Sequence, residues 1–211
     1  MKILITDDHS VVRQGYASVL PTVISPCEIL EASSGEQAAQ LYTEHRPDLV
    51  IMDINLPGIS GIEAATRILE ADREARIMFF SMYDEALMVK QALDAGAMGY
   101  ITKSGSSKTL LEAVTKISRG EIFIEYDLVM KLALNNQSVT EGLLRELTQR
   151  EFEVFVMLAR GQNNQVISDT LGLNIKTVSN YVTTIKSKLD ASSTAELVHI
   201  AIDAGVVKLG S

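Results

Sequence analysis

The chain has few cysteine and histidine residues with which to form disulfide bonds or bind a metal ion. Among its 211 residues it has one cysteine, Cys27, no tryptophan and three histidines. A single cysteine excludes an intrachain disulfide and a zinc site made of cysteines. The histidines, His9, His45 and His199, are too scattered in the sequence to predict a metal triad. The composition therefore points away from disulfide-rich and zinc-binding proteins.

Long apolar runs are also missing. No stretch approaches the roughly 20 consecutive apolar residues of a membrane helix, and the N-terminus lacks the basic, apolar and cleavage regions of a signal peptide. We therefore expect a cytoplasmic protein that does not bind a membrane. The 46% hydrophobic content is enough for real cores, and the length fits one large and one small domain or two of moderate size.

Positive charge is scarce, with 19 basic against 27 acidic side chains and a formal net charge of −8. Residues 1–120 hold 11 basic and 16 acidic groups, residues 121–147 hold 2 and 5, and residues 148–211 hold 6 and 6. The acidic excess thus belongs to the first part, and the C-terminal part is neutral. Composition alone excludes a strongly basic nucleic-acid surface.

The first 120 residues alternate short apolar runs with amphipathic segments. The runs, typical of parallel strands covered on both faces, lie near residues 2–6, 27–31, 48–52, 76–81 and 98–102. Segments with apolar residues at helical spacing follow them: SVVRQGYASVL, GEQAAQLYTEH, GIEAATRILEA, EALMVKQALDA and KTLLEAVTKIS. Five such repeats predict a doubly wound α/β domain with a five-stranded parallel sheet.

The remaining residues predict a linker and a small all-α domain. Residues 121–146 contain a short helix, about 127–134, and the polar stretch NNQSVTEG, which has linker composition. Thr148 and Glu151 form a capping-box pattern at the start of a helix. Four helices follow, about 149–160, 164–171, 175–189 and 193–205. The tight turn from Gly172 to Asn174 makes the middle pair a helix-turn-helix candidate within a domain of residues 147–211.

Polar side chains follow four of the predicted strands where each strand ends. They are Asp7, Asp8, Asp53, Ser81 and Lys103. Because the carboxyl ends of parallel strands share one edge of the sheet, we expect these side chains to converge there. An acidic pair after a strand is by itself often only a solvated turn or a helix cap. Three clustered carboxylates repel one another unless a divalent cation lies among them, and a cation beside an ammonium suits the receipt of a phosphoryl group.

Several motifs carry a resemblance that covers nearly the whole chain. In this order and spacing, ITDDH, VIMDINLPGISG, FFSMY and GYITKS resemble the receiver domain of two-component response regulators. The segment LTQREFEVFVMLARGQNNQVISDTLGLNIKTVSNYVTTIKSKL is similar to the LuxR-type helix-turn-helix domain. Together they resemble the NarL/FixJ subfamily. The resemblance implies a flavodoxin-like sheet of order 2-1-3-4-5 in a receiver domain, residues 1–120, before a DNA-binding domain.

The resemblance also implies roles for the residues at the strand ends. Asp53 matches the aspartate that accepts a phosphoryl group from a sensor histidine kinase, Lys103 and Ser81 match the residues that contact the phosphoryl oxygens, and Tyr100 matches the aromatic residue that swings inward. It further implies a Mg²⁺ site. Its ligands would be Asp8 directly, Asp7 largely through water, Asp53, and the main-chain carbonyl of Asn55.

The second motif set implies that residues 175–189 enter the DNA major groove. The positions that match contacts to bases or phosphates are Lys176, Thr177, Ser179, Asn180, Tyr181, Thr183, Lys186 and Lys188. Many relatives have lysine at positions 179 and 183, so few cations remain to contact phosphates, and we expect weak binding by one copy. The apolar strip Leu197, Val198, Ala201 and Ile202 is expected to close the core and to pair with a second copy as a homodimer.

We therefore expect a transcription regulator whose phosphorylation at Asp53 controls dimerisation and binding to two DNA half-sites. Two alternatives belong to other classes. An aspartyl-phosphate phosphatase would need a second acid two residues after the nucleophile, where this chain has Asn55. A signalling adaptor that binds protein instead of DNA would fit the neutral C-terminal part and its missing lysines.

Overall fold

The structure is a computed structural model that describes residues 1–134, 143–144 and 146–207. The chain divides into two compact units, Met1–Leu132 and Ala133–Ser211. The predicted polar stretch NNQSVTEG lies outside the described residues. Within the described ranges, no helix is both long and apolar enough to cross a bilayer.

The first unit is built on a six-stranded parallel sheet of order β2-β1-β3-β4-β5-β6. The strands are β1 (Lys2–Thr6), β2 (Glu28–Ala32), β3 (Leu49–Met52), β4 (Ile77–Ser81), β5 (Gly99–Thr102) and β6 (Phe123–Ile124). The predicted order 2-1-3-4-5 is confirmed.

The prediction of five strands is wrong by one, because β6 extends the sheet beyond β5. The Phe123 N–H donates to the Met98 carbonyl at 3.0 Å, and the Glu125 N–H donates to the Tyr100 carbonyl at 3.1 Å. With only two residues, β6 is too short to stand out as an apolar run. The first unit consequently continues past residue 120, where the sequence predicts the start of a linker.

Five helices join the strands of the first unit, and a sixth begins after β6 and ends at Leu134, two residues beyond the unit. They are α1 (Ser10–Val23), α2 (Gly35–His45), α3 (Gly61–Ala71), α4 (Ala86–Asp94), α5 (Ser107–Ser118) and α6 (Tyr126–Leu134). On one face, Ile3, Ile51 and Phe80 of the sheet pack with Leu20 of α1 and Leu110 of α5. The other face of the same strands is buried as well, which explains their continuous apolar pattern.

The start of α3 is pressed against the chain that leaves β3. Ser60 caps the helix by accepting a hydrogen bond from the Glu63 N–H at 3.2 Å. The Gly61 N–H donates to the Ile54 carbonyl at 2.8 Å. A Cβ atom at Gly61 would collide with the main-chain carbonyl of Asp53, so only glycine allows this close approach. The contact fixes the backbone that carries Asp53.

The second unit contains α7 (Gln149–Ala159), α8 (Asn164–Leu171), α9 (Ile175–Lys188) and α10 (Thr194–Asp203). The predicted capping box is confirmed, with Thr148 and Glu151 each accepting a hydrogen bond from the other's N–H. Gly172, at φ +60°, ends α8, and Asn174 caps α9 by accepting from the Lys176 N–H at 2.9 Å. Consequently α8 and α9 form the predicted helix-turn-helix.

A small apolar core holds the second unit together. Its fully buried side chains include Phe152, Phe155, Ile167, Val178 and Leu197. Of the predicted apolar strip on α10, Leu197 and Ala201 are fully buried, whereas Val198 and Ile202 are partly exposed. The strip therefore closes the core with one half, and its role in pairing with a second copy remains a prediction.

Candidate functional site

Three strand ends meet at the ammonium group of Lys103. Its Nζ lies 2.5 Å from Asp53 Oδ2 and 2.6 Å from Asp7 Oδ2. Backbone hydrogen bonds of 2.8 Å join Asp53 to Thr6 and Lys103 to Ser81, so the strand ends are in register. The Asp7, Asp53 and Lys103 side chains are only 3%, 5% and 9% exposed. The expected convergence at this edge of the sheet is thus present.

Asp8 and His9 border this cluster. The Asp8 side chain is 31% exposed, and its carboxylate lies 2.7 Å from His9 Nδ1. The His9 N–H donates to Asp7 Oδ1 at 2.9 Å. Ligand atoms of Asp7, Asp8 and His9 lie within 4.8 Å of one another. His9 is not among the predicted site residues, although its place directly after two aspartates is a signal that it lies beside carboxylates.

The electrostatics of the site keep Asp53 mostly protonated until the pH approaches neutrality, and the carboxylate predominates above it. Burial raises the pKa of Asp53 to about 7, Lys103 acts to lower this pKa, and Asp7 acts to raise it. Burial by itself lowers the pKa of Lys103, but Asp53 and Asp7 outweigh that effect and the pKa lies above its usual value. Three carboxylates with one ammonium leave an excess of negative charge that a divalent cation would offset.

The donors present are the kind that Mg²⁺ prefers. Carboxylate oxygens of Asp7 and Asp8 lie within 4.8 Å of each other, and Asp7 and Asp53 contact the same ammonium. Hard oxygen ligands of this kind suit the ion. Asn55 is adjacent, because its N–H donates to Asp53 Oδ1 at 3.4 Å. Its carbonyl as a further ligand remains a prediction.

The residues predicted to respond to phosphorylation form one hydrogen-bonded chain. Tyr100 is fully buried, and its hydroxyl donates to the Tyr83 carbonyl at 2.9 Å. The Ser81 hydroxyl accepts from the Tyr83 N–H at 3.3 Å. The Tyr83 hydroxyl donates to Asn55 Oδ1 at 3.3 Å. Tyr83, which is absent from the predicted site, therefore connects Ser81, Tyr100 and Asn55.

In the second unit, α9 presents polar side chains to solvent. Lys176, Ser179, Asn180 and Thr183 are exposed, while Thr177, Tyr181, Lys186 and Lys188 are partly exposed. The hydroxyls of Ser179 and Thr183 donate to the Ile175 and Ser179 carbonyls of their own helix, both at 3.0 Å. In this arrangement these hydroxyls keep free acceptor capacity and have no free donor.

The two lysines predicted near the end of α9 differ in their surroundings. Lys188 Nζ contacts the Glu151 carboxylate at 2.6 Å and the Glu146 carbonyl at 3.1 Å. Glu151 is 7% exposed and belongs to the capping box of α7. Lys188 therefore joins the end of α9 to the start of α7, a packing role that competes with its predicted contact to a DNA phosphate.

We expect Lys188→Met to lower the stability of the second unit by about 1 to 2 kcal/mol, because it leaves the nearly buried Glu151 without its cation. Lys186→Met is the matched control and should change stability by less than about 0.5 kcal/mol. Urea unfolding of both variants, followed by circular dichroism, measures the difference. Equal stabilities would show that Lys188 has no packing role.

Two family models match the chain in succession. Residues 3–115 match the response regulator receiver domain, and residues 145–201 match the bacterial regulatory proteins of the luxR family. The receiver match alone covers more than half of the chain.

Similar proteins cover nearly the whole chain. The transcriptional activator protein ExaE of Pseudomonas putida is 44% identical over 214 residues, 100% of each chain. The oxygen regulatory protein NreC of Staphylococcus haemolyticus is 35% identical and aligns over 96% of this chain and 97% of its own. The response regulator protein VraR of Staphylococcus aureus is 34% identical over 99% of each chain. These relatives are regulators rather than enzymes, so they do not support the phosphatase alternative.

Solved structures agree. A LuxR-family two-component response regulator from Aurantimonas sp. SI85-9A1 is 36% identical, with a TM-score of 0.60 over 63% of this chain and 94% of its own. RcsB from Salmonella enterica serovar Typhimurium, bound to promoter rprA with BeF3−, is 22% identical, with a TM-score of 0.62 over 95% and 98% of the chains, and shows the fold alone. From both domain models and the full-length relatives, the chain belongs to the NarL/FixJ family of two-component response regulators.

Proposed function

We propose that Asp53 accepts a phosphoryl group from a sensor histidine kinase and that this controls dimerisation and DNA binding. The proposal assigns residues 1–120 to the receiver, 121–146 to the linker and 147–211 to the DNA-binding domain. The observation that supports it best is the buried contact of Lys103 with both Asp53 and Asp7. The proposed location is the cytoplasm.

The chain's own residues suit an in-line phosphoryl transfer. The ionised Asp53 carboxylate attacks phosphorus while the bond from phosphorus to the donor atom breaks, so one bond forms and one is lost. Lys103 is near enough to pair with a phosphoryl oxygen, and Ser81 is the last residue of β4, beside Lys103. A bound Mg²⁺ would supply positive charge for the phosphoryl oxygens. Positioning and electrostatic stabilisation would supply most of the rate acceleration, so no general base is required.

The product provides a route to a conformational change. A phosphoryl group on Asp53 offers strong acceptors to the Ser81 hydroxyl, which accepts from the Tyr83 N–H in the present structure. Because the Tyr83 backbone is hydrogen-bonded to both Ser81 and Tyr100, a shift of Ser81 would displace the loop after β4. This is a local change of hydrogen bonding with an effect on a nearby surface.

We further propose that α9 lies in the DNA major groove. Asn180 offers an amide that can bond to both the acceptor and the donor of adenine. Ser179 and Thr183, which donate within their helix, would accept from an exocyclic amine of adenine or cytosine. Lys176 and Lys186 would contact phosphates. With so few cations per copy, two copies on two half-sites would be needed, and Val198 and Ile202 are candidates for their contact.

A gel shift on genomic DNA fragments tests this function. The full chain is incubated with Mg²⁺, with and without beryllofluoride, at low and at moderate salt. We expect tighter binding with beryllofluoride and a loss of binding as salt rises. Asn180→Ala should weaken the specific complex about 5- to 150-fold, because one bidentate base contact is worth about 1 to 3 kcal/mol.

Two results would count against the proposal. Failure to retain DNA at low salt in either state would favour the adaptor alternative. Equal DNA binding with and without beryllofluoride would show that phosphorylation of the receiver does not control DNA binding.

A further inference from the structure

The residue before α6 fastens this helix to the end of β5. Glu125 Oε2 accepts hydrogen bonds from the Thr102 N–H and from the Thr102 hydroxyl, both at 2.8 Å. The Glu125 carbonyl accepts from the N–H groups of Leu128 and Val129 and so begins the helix. Thr102 directly precedes Lys103. One side chain therefore holds both the start of α6 and the backbone that positions the ammonium.

The same carboxylate also borders the chain after Lys103. A Cβ atom at Gly105 would lie 3.3 Å from a Glu125 carboxylate oxygen. The Ser104 hydroxyl donates to Thr102 Oγ1 at 3.1 Å, so the short turn after β5 packs around this group. A displacement of Lys103 would consequently be transmitted to Glu125.

A second contact fastens α6 to the loop after β4. Lys131 Nζ donates to the Asp84 carbonyl at 3.2 Å and forms an ion pair with the Asp84 carboxylate. Asp84 follows Tyr83, whose backbone contacts both Ser81 and Tyr100. The Lys131 and Asp84 side chains are 38% and 53% exposed. An exposed pair of this kind adds little to the stability of the fold, and its effect is on the position of α6.

The apolar packing of α6 is limited, so these polar contacts matter. Leu128 is 1% exposed, whereas Tyr126, Val129 and Met130 are 73%, 43% and 41% exposed. A helix buried at few points opens at low free-energy cost. The two polar contacts thus hold a helix that has few other attachments among the described residues of the first unit.

We propose that Glu125 and Lys131 make α6 responsive to phosphorylation, because they tie it to the strand ends that carry Lys103 and Ser81. Glu125 positions Lys103 through its hydrogen bonds to the neighbouring Thr102. Lys131 moves with the loop after Ser81, because it is paired with Asp84 in that loop. The proposal rests on the proposed phosphorylation of Asp53: when Lys103 and Ser81 turn to the phosphoryl oxygens, both attachments of α6 change. Along the chain, α6 crosses the boundary between the first unit, which ends at Leu132, and the second.

Hydrogen exchange of the full chain, followed by mass spectrometry of peptides covering 126–134, tests the proposal. Beryllofluoride with Mg²⁺ should change exchange in these peptides at least threefold. Lys131→Met and Glu125→Ala should speed exchange without the ligand and remove most of the response to it. Lys108→Met and Glu121→Gln are matched controls at exposed positions and should respond as the parent chain does.

A second measurement separates positioning from simple stability. Each variant is labelled with acetyl phosphate, and its unfolding is followed in urea. Glu125→Ala should slow labelling severalfold, and Glu125→Gln, which keeps an acceptor oxygen, should restore most of the rate. Lys131→Met should keep the normal rate. If Glu125→Ala is too unstable to measure, the Lys131→Met exchange result alone decides the proposal.

The outcomes are distinguishable. A parent chain that is not labelled would refute the proposed function itself. A chain labelled at Asp53 whose α6 exchange is unchanged by beryllofluoride would refute only the role of α6. The role of α6 would also be refuted if Lys131→Met and Glu125→Ala both kept the full exchange response to beryllofluoride.

Discussion

Replacing Asp53 by asparagine is expected to abolish labelling of the full chain by acetyl phosphate in Mg²⁺. The amide has nearly the shape of the carboxylate, so it fits the buried position, where the side chain is 5% exposed. It has no charged oxygen to attack phosphorus and cannot form a stable acyl phosphate. The measurement is incorporation of labelled phosphate, with the modified peptide located by mass spectrometry.

Asp94→Asn is the matched control for this experiment. Asp94 is exposed at the end of α4, so the same change in charge should leave labelling at the parent rate. Labelling of Asp53→Asn at the parent rate would refute the assignment of the acceptor. Transfer of the label to Asp7, which contacts the same ammonium, would move the acceptor to β1.

Lys103→Met is expected to destabilise the first unit by about 3 kcal/mol at pH 8.5, measured by urea unfolding with a chelator present. The substitution leaves the carboxylates of Asp7 and Asp53 buried without their shared cation, and loss of one partner in a buried ion pair has costs of this order. Combining it with Asp53→Asn should recover most of the loss, because one of the two charges is then absent.

The pH dependence of this loss has a definite sign. The pKa of Asp53 is about 7 in the folded chain, above its value near 3.9 in an unfolded one. Ionisation of Asp53 therefore opposes folding increasingly as pH rises from about 4 to 7, and loss of Lys103 strengthens that opposition. The deficit of Lys103→Met should shrink at pH 5.5. A deficit that grows on acidification, or one shared by Lys108→Met, would contradict this account.

Much of the site follows from the sequence because strand ends are easily recognised there. A buried parallel strand must be apolar along its length, so the first polar residue marks where it emerges. Asp7, Asp53 and Lys103 each occupy such a position, and the common direction of the strands brings them together. The helix starts of the second unit were equally predictable, since Thr148 and Asn174 cap their helices by local hydrogen bonds.

Contacts between residues distant in sequence could not be predicted in this way. The pairing of β6 depends on the exposed edge of β5, and no pattern in two residues reveals it. The bond of Glu125 to Thr102 follows from that pairing and was missed with it. Lys188 was expected to contact a phosphate because its charge is visible, whereas its partner Glu151 lies 37 positions earlier. Long-range polar partners depend on tertiary packing, which local periodicity does not encode.

The close approach at Gly61 makes this residue important for the structure of the site, although it takes no part in the chemistry. Gly61 has no functional group, yet any larger side chain would push away the main-chain carbonyl of Asp53, the proposed phosphoryl acceptor. In a saturation-mutagenesis survey, position 61 would therefore rank among the least tolerant of the first unit. Its intolerance would reflect the space that the neighbouring backbone already fills.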